Sequence, residues 1–462
     1  MNTKTRVQRD SMGEVSIPQS MYYGAQTQRA VENFPISGMR LPRSFIRAQG
    51  IVKAAAARAN EVCGQLEPNL ARAIIQAAEE VMEGRWDDHF VVDVYQAGAG
   101  TSQNMNANEV IANRAAEILG GRVGETERVH PNDHVNRGQS TNDTIHVAIN
   151  IAAAETIHQG LIPAAERLIR EIHHKAEVFD NIVKPGRTHL QDAVPLRVGQ
   201  ELSAYGQSLE HALDGIRESL PLLYQIGLGG NAVGTGINTP PGYADRAVQE
   251  VADRTGLPFR EPDNRFAFIQ NTGAAIKVHG ALKVLAVHLD KCVSDLRLLS
   301  SGPRTGLAEM RLPAVQPGSS IMPGKVNPVM AEMVNMVTVQ VIGNDAAITA
   351  AGTRAQLELN VMMPVIAHNV LQSIDILTRA MEVFRKRAVA GLEVDERRCR
   401  ELVEQSLALA TALNPSLGYD KAAEVAKKAY TEGKTLRQVV MEEGLLGEEE
   451  ADRVLNPDRM IP

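Results

Sequence analysis

The stretch GSSIMPGKVNPVMAEMVNMVTVQVIGNDAAITA, residues 318–350, changes its character after Pro328. Its first eleven residues hold two glycines, two prolines and two serines, a density of turn formers that excludes a regular helix or strand. The residues that follow are mostly apolar and long enough for a helix of about six turns. The sequence therefore predicts a long helix that begins where a polar loop ends, and the loop needs an explanation beyond the connection of two helices.

Four other parts of the chain carry the same helical periodicity, and together with residues 329–350 they predict a bundle of long helices. These parts are residues 143–178, 197–225, 264–301 and 357–390. Aromatic residues make up only 4% of the chain and alanine is abundant, which favours closely packed helices over sheets. We predict a mainly α-helical protein of three domains with a central long-helix bundle. The predicted bounds are 1–140 for an N-terminal domain, 141–395 for the bundle and 396–462 for a small C-terminal helical domain.

Charge and composition exclude several classes of partner. The formal net charge is −7 and no basic stripe is present, so we do not expect nucleic acid to bind. No run of about 18 apolar residues predicts a membrane span. Cys63, Cys292 and Cys399 lie far apart without CxxC spacing, which argues against a disulfide scaffold and fits a reducing compartment. We therefore expect a cytoplasmic protein.

Four polar segments interrupt the helical pattern, each where a helix should begin or end. They are residues 98–108, 130–143, 185–192 and the opening loop, 318–328. Together they supply many hydroxyl and amide groups with few acids, and Lys325 adds a positive charge. Helix N-termini present unpaired N–H groups and the positive end of the helix dipole to anions. The combination predicts a site for carboxylates, and Glu332 is placed to orient His189.

Three of these segments also have a structural interpretation. Residues 130–143 fit a capped helix start, His189 fits a structural histidine, and residues 98–108 fit a tight contact between small residues. The glycine-rich residues 227–236 follow no predicted strand and lack the spacing of a dinucleotide site, so they favour a loop. Because no HExxH, EF-hand or P-loop motif is present, we expect neither a metal nor an organic cofactor.

The four segments resemble, in the same order, the active-site regions of the aspartase/fumarase superfamily. The matching motifs are AGAGTSQNMNANE, HPNDHVNRGQSTND, GRTHLQDAVP and GSSIMPGKVNP, and the resemblance runs from RDSMGEV near residue 9 to NPDRM near the C-terminus. It implies that family's three-domain helical fold and a reversible anti elimination that forms fumarate from a small dicarboxylate. It also implies a homotetramer in which three subunits contribute to each active site.

The resemblance assigns roles to residues of this chain. Ser319 would be the base that removes a proton from carbon, on a mobile loop that closes over the substrate, and loop amides would stabilise its alkoxide. Lys325 would stabilise the developing charge, and His189, oriented by Glu332, would assist the leaving group. The residues assigned to substrate binding are Thr101, Ser140, Thr141, Asn142, Thr188, Ser320 and Asn327. A second, weaker dicarboxylate site is expected at His130, Asn132 and Asp133.

Individual motifs point to two branches of the superfamily. HPND at 130–133, GGNAVGTG at 229–236 and GYDKAAEVAKKA at 418–429 look like class II fumarase. Ala99 and Thr141 look more like aspartase, whereas Met363 stands where aspartases tend to have a glutamate. We expect interconversion of L-malate and fumarate, with the alternative of an aspartate ammonia-lyase. A structural role like that of the related lens crystallins is disfavoured, because every candidate catalytic residue is present.

Overall fold

The computed structural model describes residues 4–461, and α-helices dominate that part of the chain. The α-helices are α1 (Ala25–Asn33), α2 (Arg43–Val62), α3 (Pro68–Met82), α4 (Thr101–Ile118), α5 (Thr141–Thr156), α6 (Ile162–Val178), α7 (Val198–Ser219), α8 (Tyr243–Thr255), α9 (Arg265–Gln270), α10 (Gly273–Leu299), α11 (Val329–Gly352), α12 (Met363–Phe384), α13 (Glu396–Gln405), α14 (Asn414–Leu417), α15 (Tyr419–Glu432), α16 (Leu436–Glu442) and α17 (Glu448–Val454). The predicted mainly α-helical fold is confirmed. No helix within residues 4–461 is long and apolar enough to cross a membrane.

Short strands form four antiparallel pairs in the described residues. The strands are β1 (Thr5–Asp10), β2 (Gly13–Pro18), β3 (Val183–Thr188), β4 (Gln191–Arg197), β5 (Met310–Arg311), β6 (Ala355–Gln356), β7 (Leu359–Asn360) and β8 (Glu393–Val394). The pairs are β1–β2, β3–β4, β5–β8 and β6–β7. In the β3–β4 hairpin Thr188 pairs with Gln191, so two residues form its turn.

The long helices fall close to the predicted ranges, except at 264–301 and 357–390. A π-helical turn joins α5 to α6, so the predicted helix at 143–178 is one continuous helical run, and α11 matches the prediction for 329–350. The predicted helix at 264–301 is broken between α9 and α10.

The predicted helix at 357–390 was wrong at its start. Residues 355–360 form the β6–β7 hairpin, with Leu357 in the left-handed region at φ +50°. The helix begins only at Met363, after the Asn360 side chain has accepted a hydrogen bond from the N–H of Met362 at 2.8 Å. A side chain that accepts a nearby N–H stabilises a turn at the expense of helix, which periodicity alone does not reveal.

Contacts divide the chain into two compact units. The first unit comprises the residues up to Pro163 together with Leu213–Ala286 and Val339–Thr378. The second unit comprises Ala164–Ala212, Val287–Thr338 and the residues from Arg379 onwards. The three-domain division expected from the sequence stays a prediction.

The first unit has a core of small aliphatic side chains on α2, α3 and α4. Ala54, Ala77 and Ala115 are fully buried in it. A Cβ atom on Gly50 would lie 2.9 Å from the backbone oxygen of Ala78, so α2 and α3 approach too closely for a larger residue there. This packing explains the abundance of alanine, and it holds the starts of α4 and α5 on a rigid support.

The second unit has a separate core built by the C-terminal helices. Val403, Leu413, Val425 and Val439 are fully or almost fully buried in it, and Val183 of β3 packs into the same cluster. The β3–β4 hairpin is therefore anchored at its base, which leaves the turn to project from a fixed support.

The helix α11 carries apolar side chains on more than one face. Val334, Val341 and Ile348 are buried, whereas Met336 and Val339 are each 68% exposed. A long helix that is apolar on opposite faces is normally covered on both. The single chain therefore leaves an apolar surface on α11 without a partner among the described residues.

Candidate active site

Thr101 begins α4 at a turn that two glycines shape. The N–H of Met363 donates to the carbonyl oxygen of Gly98 at 2.9 Å, and a Cβ atom on Gly98 would lie 1.9 Å from the carbonyl oxygen of Val361. Gly100 has φ +83°, a conformation that favours glycine. These constraints place Thr101, with an exposed side chain, at the N-terminus of an 18-residue helix.

The start of α5 is capped as well as polar. The Oγ of Ser140 accepts a hydrogen bond from the N–H of Asn142 at 3.2 Å, and the N–H of Ser140 donates to Oδ1 of Asp143 at 2.9 Å. The structural interpretation of this segment is therefore correct for Ser140. The cap also fixes the half-buried side chains of Thr141 and Asn142 in the first turn of the helix.

Asp143 also connects the glycine-rich loop 227–236 to the start of α5 through further hydrogen bonds. Its Oδ2 accepts from the N–H groups of Gly229 at 3.0 Å and Asn231 at 2.9 Å, and Nδ2 of Asn142 donates to the oxygen of Ala232 at 2.8 Å. Burial raises the pKa of Asp143 to about 6. Asp143 was not among the predicted site residues, although its S-x-x-D spacing from Ser140 is the signature of a capping box.

A fully buried lysine lies behind this helix start. Nζ of Lys53 donates to Oδ1 of Asn104 at 2.8 Å, Oε1 of Gln139 at 2.9 Å and Oδ1 of Asn136 at 3.1 Å. Nδ2 of Asn104 in turn donates to Oγ1 of Thr141 at 3.2 Å. Burial lowers the pKa of Lys53 to about 7, while its three acceptors call for the three N–H donors that only the ammonium form has. Lys53 was not among the predicted site residues, and its signal in the sequence is a lysine that stands between Ile51–Val52 and the four alanines at 54–57.

His146 lies one turn further along α5. Its Nδ1 is 2.9 Å from the carbonyl oxygen of Asn142, and its Nε2 has no hydrogen-bond partner among the described residues. Burial lowers the pKa of His146 to about 4. The ring lines a largely apolar cavity of about 530 Å³ together with Phe268 and Met363, so Met363 occupies an apolar environment at 2% exposure.

The opening loop is closed by hydrogen bonds to its own backbone. The N–H of Gly318 donates to the oxygen of Lys325 at 3.0 Å, and Nδ2 of Asn327 donates to the oxygen of Gly318 at 2.6 Å. The Oγ of Ser319 accepts from the N–H of Met322 at 2.9 Å and from that of Ile321 at 3.3 Å. Two backbone donors aimed at one hydroxyl oxygen also stabilise negative charge on that oxygen.

The turn of the β3–β4 hairpin consists of His189 and Leu190. Both have left-handed backbone angles, with φ +55° and +59°, although neither is glycine. Such residues cost roughly 1 kcal/mol or more each and persist where the surrounding structure imposes them. The side chains of Thr188 and His189 are exposed, which does not favour the interpretation of His189 as a structural histidine.

A buried ion network holds the base of that hairpin. The guanidinium of Arg187 binds both carboxylate oxygens of Glu309, at 2.8 and 3.1 Å, and Nζ of Lys184 lies 3.3 Å from the same carboxylate. Lys184 also lies 3.2 Å from Glu201. Glu309 is completely buried, so removal of either cation would leave its charge less compensated away from water.

The expected pair of His189 and Glu332 is not formed within one chain. Neither side chain has a hydrogen-bond partner among residues 4–461, and Glu332 lies in the first turn of α11. The structure divides the candidate residues between the two units. Thr101, Ser140, Thr141 and Asn142 belong to the first unit, and Thr188, His189, Ser319, Ser320, Lys325, Asn327 and Glu332 belong to the second.

The three residues of the expected second site lie together in the first unit. Nδ1 of His130 accepts from the N–H groups of Asp133 at 3.1 Å and Asn132 at 3.3 Å. His130 is the N-cap of a five-residue π-helical turn, Pro131–Val135, and Asn132 and Asp133 lie within that turn. His130 and Asn132 line a small cavity of about 190 Å³ with Arg9. His130 therefore caps a turn, and the side chains of Asn132 and Asp133 are exposed.

Two families of known proteins match this chain. The family described as lyase matches residues 13–343, and the family described as the fumarase C C-terminus matches residues 409–462. Together they cover most of the sequence, including all four polar segments.

Curated proteins and solved structures match the chain over its length. A class II fumarate hydratase of Halobacterium salinarum is 53% identical, covering 100% of this chain and 98% of its own, and one of Pseudomonas aeruginosa is 50% identical, covering 99% and 98%. A crystal structure of class II fumarase from Schistosoma mansoni covers 99% of both chains at 38% identity with a TM-score of 0.95. A Brucella melitensis structure, described as fumarate lyase:delta crystallin bound to cobalt, also has a TM-score of 0.95, at 46% identity and 99% coverage of both chains.

The buried imidazole of His146 predicts a loss of stability in acid. An unfolded histidine binds a proton below a pH of about 6.5, whereas folded His146 does so only near pH 4. The unfolded state therefore gains protons first, and the folded state loses about 2 kcal/mol of stability from this group between pH 7.5 and pH 5. In His146→Met that part of the pH dependence should disappear.

The measurement is chemical denaturation of both proteins at the two pH values and one fixed protein concentration. His174→Met, which replaces an exposed histidine, is the control and should keep the wild-type pH dependence. An unchanged pH dependence in His146→Met would contradict the prediction.

Proposed function

The chain belongs to the lyase family that includes the class II fumarate hydratases, and from this we propose that it catalyses the reversible hydration of fumarate to L-malate. The observation that carries the proposal is the identity of about half of all residues, over the full length, with proteins named class II fumarate hydratase. The enzyme is a hydro-lyase, and its substrates are small dicarboxylates.

We propose Ser319 as the base of the reaction. As an alkoxide, its Oγ takes the proton from C3 of L-malate, and the electron pair of that bond moves into the adjacent C4 carboxylate. The N–H groups of Met322 and Ile321, which already donate to this oxygen, lower the cost of its negative charge. Because Lys325 and Asn327 belong to the same closed loop, the loop that places the base also carries groups for the C4 carboxylate.

The second half of the reaction breaks the bond between C2 and the hydroxyl group. Hydroxide is a poor leaving group, so a proton must reach it, and we propose that His189 delivers this proton with Glu332 as its partner. Since neither side chain has a hydrogen-bond partner among the described residues of one chain, the pair would form between two copies of the protein. The left-handed turn at His189 fits this role, because it presents an exposed imidazole at the tip of the β3–β4 hairpin, whose base is anchored.

The remaining carboxylate of the substrate would be bound by hydroxyl and amide groups at helix starts. We assign this role to Thr101 at the start of α4, to Ser140, Thr141 and Asn142 at the start of α5, and to Thr188 and Ser320, in a site that copies of the chain would share. Helix N-termini favour anions through their free N–H groups. We also propose a second dicarboxylate site at His130, Asn132 and Asp133, where Nδ1 of His130 already accepts two backbone N–H groups.

Water fits the site better than ammonia as the leaving group. An aspartase must recognise an ammonium group, which an acidic side chain would assist. The position where aspartases tend to have a glutamate is Met363, and its side chain lies almost fully buried in an apolar cavity. Its N–H bonds to Gly98, three residues before Thr101, so the position adjoins a proposed binding segment.

We further propose a cytoplasmic homotetramer with the three-domain division given by the sequence. The exposed apolar side chains of Met336 and Val339 on α11 support the assembly, because contact with helices of other subunits would bury them. All three cysteines are free, as expected in a reducing compartment.

The reaction predicts turnover of L-malate and none of L-aspartate. Purified enzyme treated with EDTA is given each compound separately, and the formation of fumarate is followed by its ultraviolet absorbance. Fumarate should appear only from L-malate. Fumarate and ammonia from L-aspartate, with no reaction of L-malate, would overturn the proposed function in favour of an aspartate ammonia-lyase.

Replacement of the base should impair turnover far more than binding. In Ser319→Ala we expect kcat to fall roughly 10³-fold, the size of a lost proton transfer, while the dissociation constant of a dicarboxylate changes little. Steady-state kinetics and calorimetric binding measure the two quantities. Ser416→Ala, an exposed serine on α14, should behave like the wild type. Turnover of Ser319→Ala within tenfold of the wild type would exclude Ser319 as the base.

Shared active sites predict complementation between inactive variants. Subunits with Ser319→Ala are mixed with subunits with His189→Asn under conditions of proven exchange. Because each site would take the two residues from different subunits, roughly a quarter of the sites should contain both native residues after random mixing. Mixing Ser319→Ala with Lys325→Ala is the control, since one loop supplies both residues and no activity should return. Failure of the first mixture would contradict shared sites.

A further inference from the structure

We propose that Lys53 is a positioning residue that acts through Asn104 to make the Thr141 hydroxyl a hydrogen-bond donor to the substrate carboxylate. This inference rests on the proposed function, because it assigns a new residue to the dicarboxylate site. All three residues belong to the first unit, and each link is a direct contact.

The burial of Lys53 calls for an explanation. Its side chain is completely buried, and the carboxylate of Asp143, which raises the pKa of Lys53 through its charge, forms no ion pair with it among the described residues. Its three contacts are amide oxygens of Asn104, Asn136 and Gln139. A buried cation that is contacted only by amide oxygens, with its charge partner Asp143 outside ion-pair distance, is costly to keep. The lysine therefore has a use other than stability.

The ammonium group determines which way the Asn104 amide faces. A lysine ammonium is a donor only, so the amide oxygen of Asn104 must be the atom that faces it. The amide nitrogen is then directed to Oγ1 of Thr141 and to Oδ1 of Asn136, each at 3.2 Å. The orientation of one amide thus follows from the charge of Lys53.

That orientation decides the direction of the Thr141 hydroxyl. A threonine hydroxyl has one proton and can both accept and donate. Because Asn104 donates to its oxygen, the proton of Thr141 is left to donate elsewhere. In the first turn of α5, the acceptor would be a substrate carboxylate, since Thr141 has been assigned to substrate binding. Without the lysine, only the 3.3 Å contact from Oγ1 of Thr144 holds the amide oxygen in place. The amide can then turn that oxygen towards Thr141, which would draw the proton away from the substrate.

Two variants of the relay test the proposal in different ways. Lys53→Met removes the charge with a side chain of similar length. Asn104→Asp keeps an acceptor for Lys53, and even pairs its charge, but replaces the N–H donor that faces Thr141 by a second acceptor. Both should raise KM for L-malate and the dissociation constant of succinate, an unreactive dicarboxylate, roughly tenfold to a hundredfold, with a smaller effect on kcat.

Gln49→Met is the matched control. Gln49 lies one turn before Lys53 on α2, is buried, and exchanges hydrogen bonds with Gln103, the neighbour of Asn104. Its loss removes a buried polar contact between the same two helices without touching Asn104 or Thr141. We expect this variant to lose stability while its KM and succinate affinity stay within twofold of the wild type.

A double-mutant cycle with Thr141→Val separates positioning from structural support. If Lys53 acts through the Thr141 hydroxyl, Lys53→Met should add less than about twofold to the defect of Thr141→Val. Full additivity, or native succinate affinity in both Lys53→Met and Asn104→Asp, would overturn the proposal. If Lys53→Met does not fold, the same cycle is run with Asn104→Asp. A wild-type enzyme that leaves L-malate unchanged would refute the proposed function instead, and succinate binding would still decide the role of Lys53.

Discussion

A carboxylate that is taken out of water must be met by donors, and this requirement fixes the polar segments of the protein. In the first unit, Asp143 is completely buried and takes three backbone N–H groups, which joins the start of α5 to the loop at 227–236. In the second unit, Glu309 is equally buried and binds Arg187 and Lys184 at the base of the β3–β4 hairpin. The start of α5 and the β3–β4 hairpin, which are proposed to contact the substrate, are therefore each stabilised by a buried carboxylate whose hydrogen bonds are satisfied.

Rigid support of this kind permits strained or exposed geometry where the chemistry is proposed. The turn at His189 and Leu190 keeps two non-glycine residues in the left-handed region, and the anchored hairpin imposes this. Gly98 has no room for a Cβ atom, and it brings the start of α4 against the backbone of Val361. The opening loop instead depends on its own backbone, which directs two N–H groups at Ser319. The positions of these residues, rather than unusual side chains, would suit them to bind the substrate and transfer protons.

The long helices keep part of their apolar surface exposed within the described residues of one chain. Met336 and Val339 leave part of α11 exposed, and the His189 and Glu332 side chains lack partners among the described residues of one chain. Both observations support the same proposal of an assembly in which copies of the chain complete one another. The fold and the reaction would then depend on the same contacts between helices.

The sequence by itself determined the features that short windows encode. The apolar periodicity at 329–350, the turn formers at 318–328 and the four ordered motifs were enough to predict the helices, the family and the residues assigned to the reaction. What the tertiary structure decided were pairings between distant positions. Lys53 meets Asn104 across 51 positions, Asp143 meets Gly229 across 86 and Arg187 meets Glu309 across 122. The β6–β7 hairpin replaced predicted helix for a local reason, since a side-chain hydrogen bond between Asn360 and the N–H of Met362 outweighed periodicity. Helical propensity is a property of neighbouring residues, whereas the burial and pairing of a charge depend on which helices pack together.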